Sequence, residues 1–469
     1  MRNRRTFSWA VITVAVIAVA AILSFGPGVN DTPKGPTAAP LILGKTDRLL
    51  ILAPHPDDEV LGCGGIIQKA VAMDLPVHVA FFTYGDFYEW SFIVYKKRLV
   101  LTPKGVEGMA RVRHGEAIAA DSSLGLSAED LSFLGYPDFG TLDMWYRAWG
   151  QAPPVRGTLT KAAAVPYEDA LRPGAPYKAD EALADLTAIL RKVLPTKVFV
   201  SHPADHHPDH RALYLFTRIA LLNIDGELSP DVYPYLVHYT DFPAPEGRRP
   251  DLPLNPPAGL TGHVDWRTSA LGPQETQRKS EALKLHKTQY ETTPHYLDSF
   301  VRSNELFGDF PVVSLRTDAG AHPLLEASAD STPEAQAVEQ EQAHLVGIVS
   351  RTVKLEGNCL VFSMDLTRPL AEEVESSVYL FGYRTDTPFS QMPKLHVKLG
   401  PITHTVHDGE KQVAWEGLAV TRSARHVDIR VPLERMGQPE KILTSAQTYA
   451  AEIPLHWAAW RILDVGVSK

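Results

Sequence analysis

Arg48-Leu49-Leu50-Ile51-Leu52-Ala53-Pro54-His55-Pro56-Asp57-Asp58-Glu59-Val60-Leu61-Gly62-Cys63-Gly64-Gly65 is the stretch on which the fold turns. An apolar run that breaks at once into a polar cluster and then glycines is the pattern of a buried parallel strand feeding a helix. The spacing predicts that helix from Gly64 to about Met73. A second strand is expected over Pro76 to Thr83, where Val77, Val79, Phe81 and Phe82 supply β-branched and aromatic residues, completing a βαβ unit. Farther along, Leu183, Leu186, Ile189, Leu190 and Val193 recur at helical spacing, and Lys197-Val198-Phe199-Val200-Ser201 reads as another buried strand. Residues 45–317 are therefore expected to form one α/β domain, with a mostly parallel sheet and helices on both faces. Ligands of such a sheet gather beyond the carboxyl ends of its strands.

The remainder of the 469 residues frames this domain. Arg2, Arg4 and Arg5 precede an uncharged, mostly apolar run from Phe7 to Phe25, about 19 residues and long enough for a spanning helix. Residues 1–29 are read as an N-terminal membrane anchor, which places the rest of the chain outside the cytoplasm; secretion after signal cleavage is the alternative. A linker is expected over 30–44 and a second over 318–343, rich in Ala, Ser, Pro and Glu. From 344 to 469, short β-branched runs at Leu345–Val349, Cys359–Leu366, Val378–Tyr383, Leu395–Leu399 and His426–Val431 suggest a β-sandwich. Its His426–Leu433 run and the Trp457-Ala-Ala-Trp460 end loosely resemble carbohydrate-binding sandwich modules, with a purely structural sandwich as the equal alternative. Only Cys63 and Cys359 are present, too few for a disulfide framework or a thiolate metal site. The net charge of −9, with no basic block beyond the N-terminus, argues against a nucleic-acid partner.

Four titratable groups between His55 and Glu59, shown on the loop after a strand, are costly unless solvated or functional. His55 and Asp58 are close enough in sequence to reach one ion, and a nitrogen with an oxygen donor suits Zn²⁺. The strand Lys197–Ser201 ends in a second cluster, His202-Pro203-Ala204-Asp205-His206-His207-Pro208-Asp209-His210. If the sheet is parallel, both loops share one edge. One histidine of the second loop would complete three protein ligands and leave a fourth position for water. His202 and His206 are surplus to such a site, and His78, His114, His396, His404 and His426 show no partner pattern. The aromatic residues of 85–112 (Phe87, Tyr88, Trp90, Phe92, Tyr95) and 143–167 (Trp145, Tyr146, Trp149) fit either a glycan groove or a satellite hydrophobic cluster.

At these two clusters the sequence resembles the PIG-L/LmbE-like family of de-N-acetylases. The family's first motif appears as Pro54 to Glu59 with Gly64 and Gly65, its second as His207-Pro208-Asp209-His210. Further matches are Thr83-x-Gly85-Asp86, Arg113-x-x-Glu116, Leu124-Gly125, Pro137-Asp138, Lys279-x-x-Ala282, His286-Lys287-Thr288-Gln289 and Glu305-Leu306-Phe307. The resemblance implies a Rossmann-like fold with His55, Asp58 and His210 as zinc ligands and Asp57 as general base. It implies His207 as acid or oxyanion stabiliser, oriented by Asp209, and Arg113 and Asp138 as contacts to the substrate's sugar. The expected activity is metal-dependent removal of an N-acetyl group from an N-acetylated sugar, with one Zn²⁺ per chain and Fe²⁺ or Co²⁺ suiting similar ligands. The alternatives are a zinc amidase acting on another N-acyl substrate, and a non-catalytic glycan-binding envelope protein.

Overall fold

The computed structural model describes residues 38–87, 102–317, 319–324, 346–370, 374–414, 416–450 and 453–466. The expected anchor and most of both expected linkers lie outside them. No helix among the described residues is long and apolar enough to cross a membrane.

The first half runs β1 (Ala39–Pro40), β2 (Leu49–Ala53), α1 (Asp58–Ala72), β3 (Val77–Thr83), α2 (Pro103–Leu124), β4 (Leu131–Tyr136), α3 (Thr141–Arg147), α4 (Ala179–Val193), β5 (Lys197–Ser201), α5 (Pro208–Asn223), β6 (Asp231–Tyr235), β7 (Asp265–Ala270), α6 (Pro273–Leu283) and β8 (Asn304–Asp309), with short helical turns between. All five residues of β2 are buried, as are all of β3 and β5, because helices cover both faces of the sheet. One group of helices is α1, α2 and α6, and the other is α3, α4 and α5.

The strand order is β1-β7-β8-β6-β5-β2-β3-β4. From β6 to β4 every neighbour is parallel, as the βαβ pattern predicts. The sheet as a whole is nonetheless mixed, because β8 runs antiparallel to both β6 and β7. The parallel expectation thus holds on the β6-to-β4 side, while the antiparallel β8 makes the sheet mixed instead of Rossmann-like. A short buried run such as Leu306-Phe307 carries no directional information, so its sequence could not announce the reversal. From β2 the chain winds outward through β3 and β4, then returns to β5 on the other side of β2. The topological switch point thus lies between β2 and β5, the two strands whose following loops carry the His/Asp clusters.

Helix α1 begins at Asp58, six residues before the predicted start, because the polar cluster itself forms the first turn, with Asp58 and Glu59 at the positive end of the helix dipole. Its glycines answer to close packing. A Cβ on Gly62 would stand 2.4 Å from the Tyr235 ring, and one on Gly65 would stand 2.2 Å from Leu271. Beside them the buried pair Lys279–Glu305 (2.7 Å) holds the helix backbone: Glu305 accepts from Gly65 N–H (2.6 Å) and Ile66 N–H (2.8 Å), and Lys279 donates to the Leu61 carbonyl (2.8 Å). These are the side chains behind the Lys279 and Glu305 motif matches.

The C-terminal residues form two further sheets. One joins Ile348–Glu356, Cys359–Leu366, His426–Pro432 and Ala419–Ser423, and the other is built on Lys394–Leu399, Val374–Tyr383, Lys441–Ala450 and Arg461–Asp464. Their facing side chains make one cluster, including Val353, Leu360 and Phe362 from the first sheet and Val378, Leu380, Leu395 and Val397 from the second. The strand period of two sends the alternate residues Tyr379, Phe381 and Tyr383 the other way, into the hydrophobic core of the α/β half. There Trp145 of α3 stacks on Phe381 and meets Trp460 edge-on. Trp145 and Trp149 are therefore buried core residues, not part of a groove, while the aromatic residues Tyr88 to Tyr95 lie outside the described residues. Both cysteines are free.

Candidate active site

The loop after β2 is held in a conformation that few residues adopt. Asp57 has φ = 127°, in the region that disfavours side chains, and its N–H donates to Glu59 Oε2 at 2.8 Å. Glu59 is fully buried and takes His286 Nε2 on its other oxygen at 2.9 Å. Arg113, from α2, donates to the carbonyls of Pro56 (2.8 Å) and Gly85 (2.9 Å) and stands 3.6 Å from Asp57 Oδ1. Burial, reinforced by Asp58 and opposed by Arg113, pushes the Asp57 carboxyl up to about 6.

The loop after β5 leads into α5, whose N-cap is His207; its Nδ1 accepts from the Asp209 N–H at 3.3 Å. Ser201 donates to the His210 carbonyl (2.7 Å), tying the strand end to the helix. Asp205 is fully buried and accepts backbone N–H groups from Val237 (3.0 Å), His238 (2.9 Å) and His207 (2.9 Å). That fixed carboxylate lies 3.1 Å from His210 Nδ1.

The two loops meet at Asp58. Its Oδ2 lies 3.1 Å from His55 Nδ1 and 3.2 Å from His210 Nε2. Both nitrogens of His210 stand within ion-pair range of carboxylates, yet at angles that satisfy neither as a hydrogen bond. Burial opposes charging His210, but Asp205 and Asp58 outweigh it and raise the imidazole to about 9; against the same burial, Asp138, Asp209 and Asp58 hold the His55 imidazole well above its usual range. Four buried carboxylates thus draw positive charge onto two imidazoles. A divalent cation in place of those protons fits the same field, with nitrogen and oxygen donors suited to zinc. His207 is also within reach: one ring nitrogen from each of His55, His207 and His210 lies within 4.8 Å of the others.

The structure brings His55, Asp57, Asp58, Arg113, Asp138, His207, Asp209 and His210 to one place, with two differences in detail. The Asp209 carboxylate does not bond the His207 ring, whose Nδ1 is 3.9 Å from its Oδ2. Instead Asp209 accepts Phe139 N–H (2.6 Å), Thr141 N–H (3.1 Å) and the Thr141 hydroxyl, and stands 3.2 Å from His55 Nε2. Asp138 likewise faces His55 Nε2 at 3.2 Å and accepts the Phe87 N–H at 2.9 Å.

The chain matches the family described as GlcNAc-PI de-N-acetylase over residues 50–221. It is 30% identical over 292 residues to the 1D-myo-inositol 2-acetamido-2-deoxy-alpha-D-glucopyranoside deacetylase of Kribbella flavida, covering 56% of this chain and 89% of that one. This chain belongs to the PIG-L family. The enzyme of the same description from Gordonia bronchialis is 26% identical over 293 residues, covering 58% of this chain and 95% of that one. Among solved structures, N,N'-diacetylchitobiose deacetylase from Pyrococcus horikoshii aligns over 66% of this chain and 94% of that one at 18% identity, with a TM-score of 0.35.

Several supports of this PIG-L site carried no assigned role in the sequence. Asp205 stood within the second cluster, so its type was visible, but only the fold shows that it backs His210. Glu59, His286, Thr141 and His238 act at sequence separations where no spacing rule applies. His202, in contrast, packs its ring against Trp266 and Phe310, belongs to none of the groups able to hold a metal, and is pushed by burial down to about 3.

Proposed function

We propose that this chain hydrolyses the N-acetyl amide of an N-acetylglucosamine-containing sugar or glycoconjugate, using one divalent cation, preferentially Zn²⁺, held by His55, Asp58 and His210. The observation that carries the reading is Asp58 Oδ2 lying between the ring nitrogens of His55 and His210, in a pocket of surplus negative charge. The relatives support the substrate class, since those from Kribbella flavida and Gordonia bronchialis are deacetylases of a 2-acetamido-2-deoxyglucopyranoside.

A bound divalent cation supplies Lewis acidity, polarising a carbonyl and lowering the pKa of water from 15.7 toward about 7. The protein's own groups do the rest. Asp57, whose raised affinity for a proton comes from burial, takes one from the attacking water as the new C–O bond forms. Arg113 and Glu59 keep its carboxylate and backbone in place. Burial, with His55, His238 and His210 nearby, holds the His207 imidazole well below its usual range, so a proton drawn from solvent onto that ring leaves readily for the departing amine as the C–N bond breaks, and Asp57 returns the proton it took to solvent. Acetate and a free amino sugar are the products. An extracytoplasmic, membrane-tethered location is part of the proposal, supported by Arg2, Arg4 and Arg5 ahead of the apolar Phe7–Phe25 run.

Acetate release from N-acetylglucosaminides, set beside a panel of other N-acyl amides and read together with metal content, tests the assignment. Preferential turnover of the sugars is expected. Turnover confined to non-sugar amides would keep the chemistry and overturn the substrate.

A further inference from the structure

Among the buried groups of the site, one large apolar side chain is held in the open. Phe139 is 47% exposed, and its backbone sits at φ = 58°, a left-handed conformation that a bulky residue adopts only when its surroundings impose it. Its N–H is locked onto Asp209, and Gly140 and Thr141 complete the turn into α3. The ring meets the edge of His207 at a centroid distance of 4.4 Å and packs on Phe87 at 4.6 Å. Phe87 is fixed in turn through its N–H on Asp138. The two carboxylates that face His55 therefore also place two phenyl rings at the mouth of the site. Neither the strain nor the exposure serves the core.

We propose that Phe139, backed by Phe87, is the platform on which the pyranose ring of the substrate packs. The inference rests on the proposed reaction, in which His207 passes its proton to the leaving amine. Whatever the amine nitrogen carries then lies beside His207, where Phe139 stands. The C–H face of a pyranose is apolar and flat enough to cover an aromatic ring, and its burial recovers contact area that folding leaves wet.

Glycine adopts φ = 58° without strain, so Phe139→Gly removes the ring while relaxing the turn. In the metal-loaded enzyme this variant should raise KM for an N-acetylglucosaminide about 10-fold, with kcat within about 3-fold of wild type. Metal content should be unchanged and the melting temperature no lower. Phe139→Trp should keep KM near wild type. Saturation-transfer NMR with methyl N-acetylglucosaminide gives a readout independent of turnover: irradiating the aromatic resonances should saturate the pyranose ring protons more than the acetyl methyl, and Phe139→Gly should abolish that difference. Unchanged KM and saturation in the glycine variant would overturn the platform. Ring saturation without any acetate release by wild type would uphold the platform and overturn the reaction.

Discussion

Both halves of the molecule bury polar side chains, but they do so differently. On the sandwich, Lys394 is buried and pushed down to about 7, donating to the Met392 carbonyl (3.1 Å) and to the Phe389 carbonyl; His396 is pushed down to about 3 and bonds Ser377 at 2.5 Å. Burial leads each shift, and each group finds local partners. At the α/β edge, Asp58, Asp138, Asp205 and Asp209 converge on His55 and His210, and the field raises the imidazoles instead of lowering them. Polar burial alone does not mark a site. Convergence of one sign of charge on a pair of buried imidazoles does.

The contrast is broken most directly at Asp57. Asp57→Ala should lower turnover by about 10²–10⁴-fold while leaving metal content near wild type, since the residue is assigned to proton transfer. Retained turnover would remove Asp57 from that role. His55→Ala should instead lose the metal, measured by elemental analysis of the purified protein; full occupancy in that variant would contradict the ligand assignment.

Next in size is the scaffold beneath the first loop. Lys279→Met leaves Glu305 charged and buried, and we expect a loss of about 3–5 kcal/mol of stability in a denaturant titration. A change under about 1 kcal/mol would show that Glu305 finds other compensation. A smaller, pH-dependent effect comes from His202. Its folded value near 3 lies below the unfolded 6.5, so the unfolded chain binds the extra proton between those values and stability falls as the pH drops from 6.5 toward 3. The slope is at most about 1.4 kcal/mol per pH unit, and His202→Phe should flatten it without altering metal content. An unchanged acid-melting profile would exclude His202 as a contributor. The smallest effect is expected on the sandwich: His396→Gln should cost about 1 kcal/mol and leave both metal content and turnover unchanged. Loss of metal there would erase the distinction between the two halves.

The legible part of the site was local. His55, Asp57 and Asp58 stand together in sequence, as do His207, Asp209 and His210, and each group follows an apolar run whose strand character was plain. Asp205 was visible but had no role until the register of β5 and α5 placed it behind His210. Glu59 could be quoted as part of the motif, yet its partner His286 lies 227 residues away. Phe139 gave no sign at all, because neither exposure nor a positive φ can be read from an isolated phenylalanine. Of the sandwich strands, Cys359–Leu366 was read as it stands and Val374–Tyr383, Lys394–Leu399 and His426–Pro432 with slightly shifted ends, whereas Ala419–Ser423, Lys441–Ala450 and Arg461–Asp464 were not read at all; that one of its sheets also faces the α/β core followed only from the alternation of Val378, Tyr379, Leu380 and Phe381 once a second layer was seen to cover it.

By itself, then, the sequence determined the central strands β2, β3 and β5 and which side chains stand at their ends, since hydrophobic period and turn chemistry act over a few residues. Tertiary structure decided the reversed direction of β8, the contact of the two halves through Trp145, Phe381 and Trp460, and the position of Asp58 between two imidazoles. Those outcomes depend on packing and on the summed field of carboxylates brought together from distant parts of the chain, which no local pattern encodes.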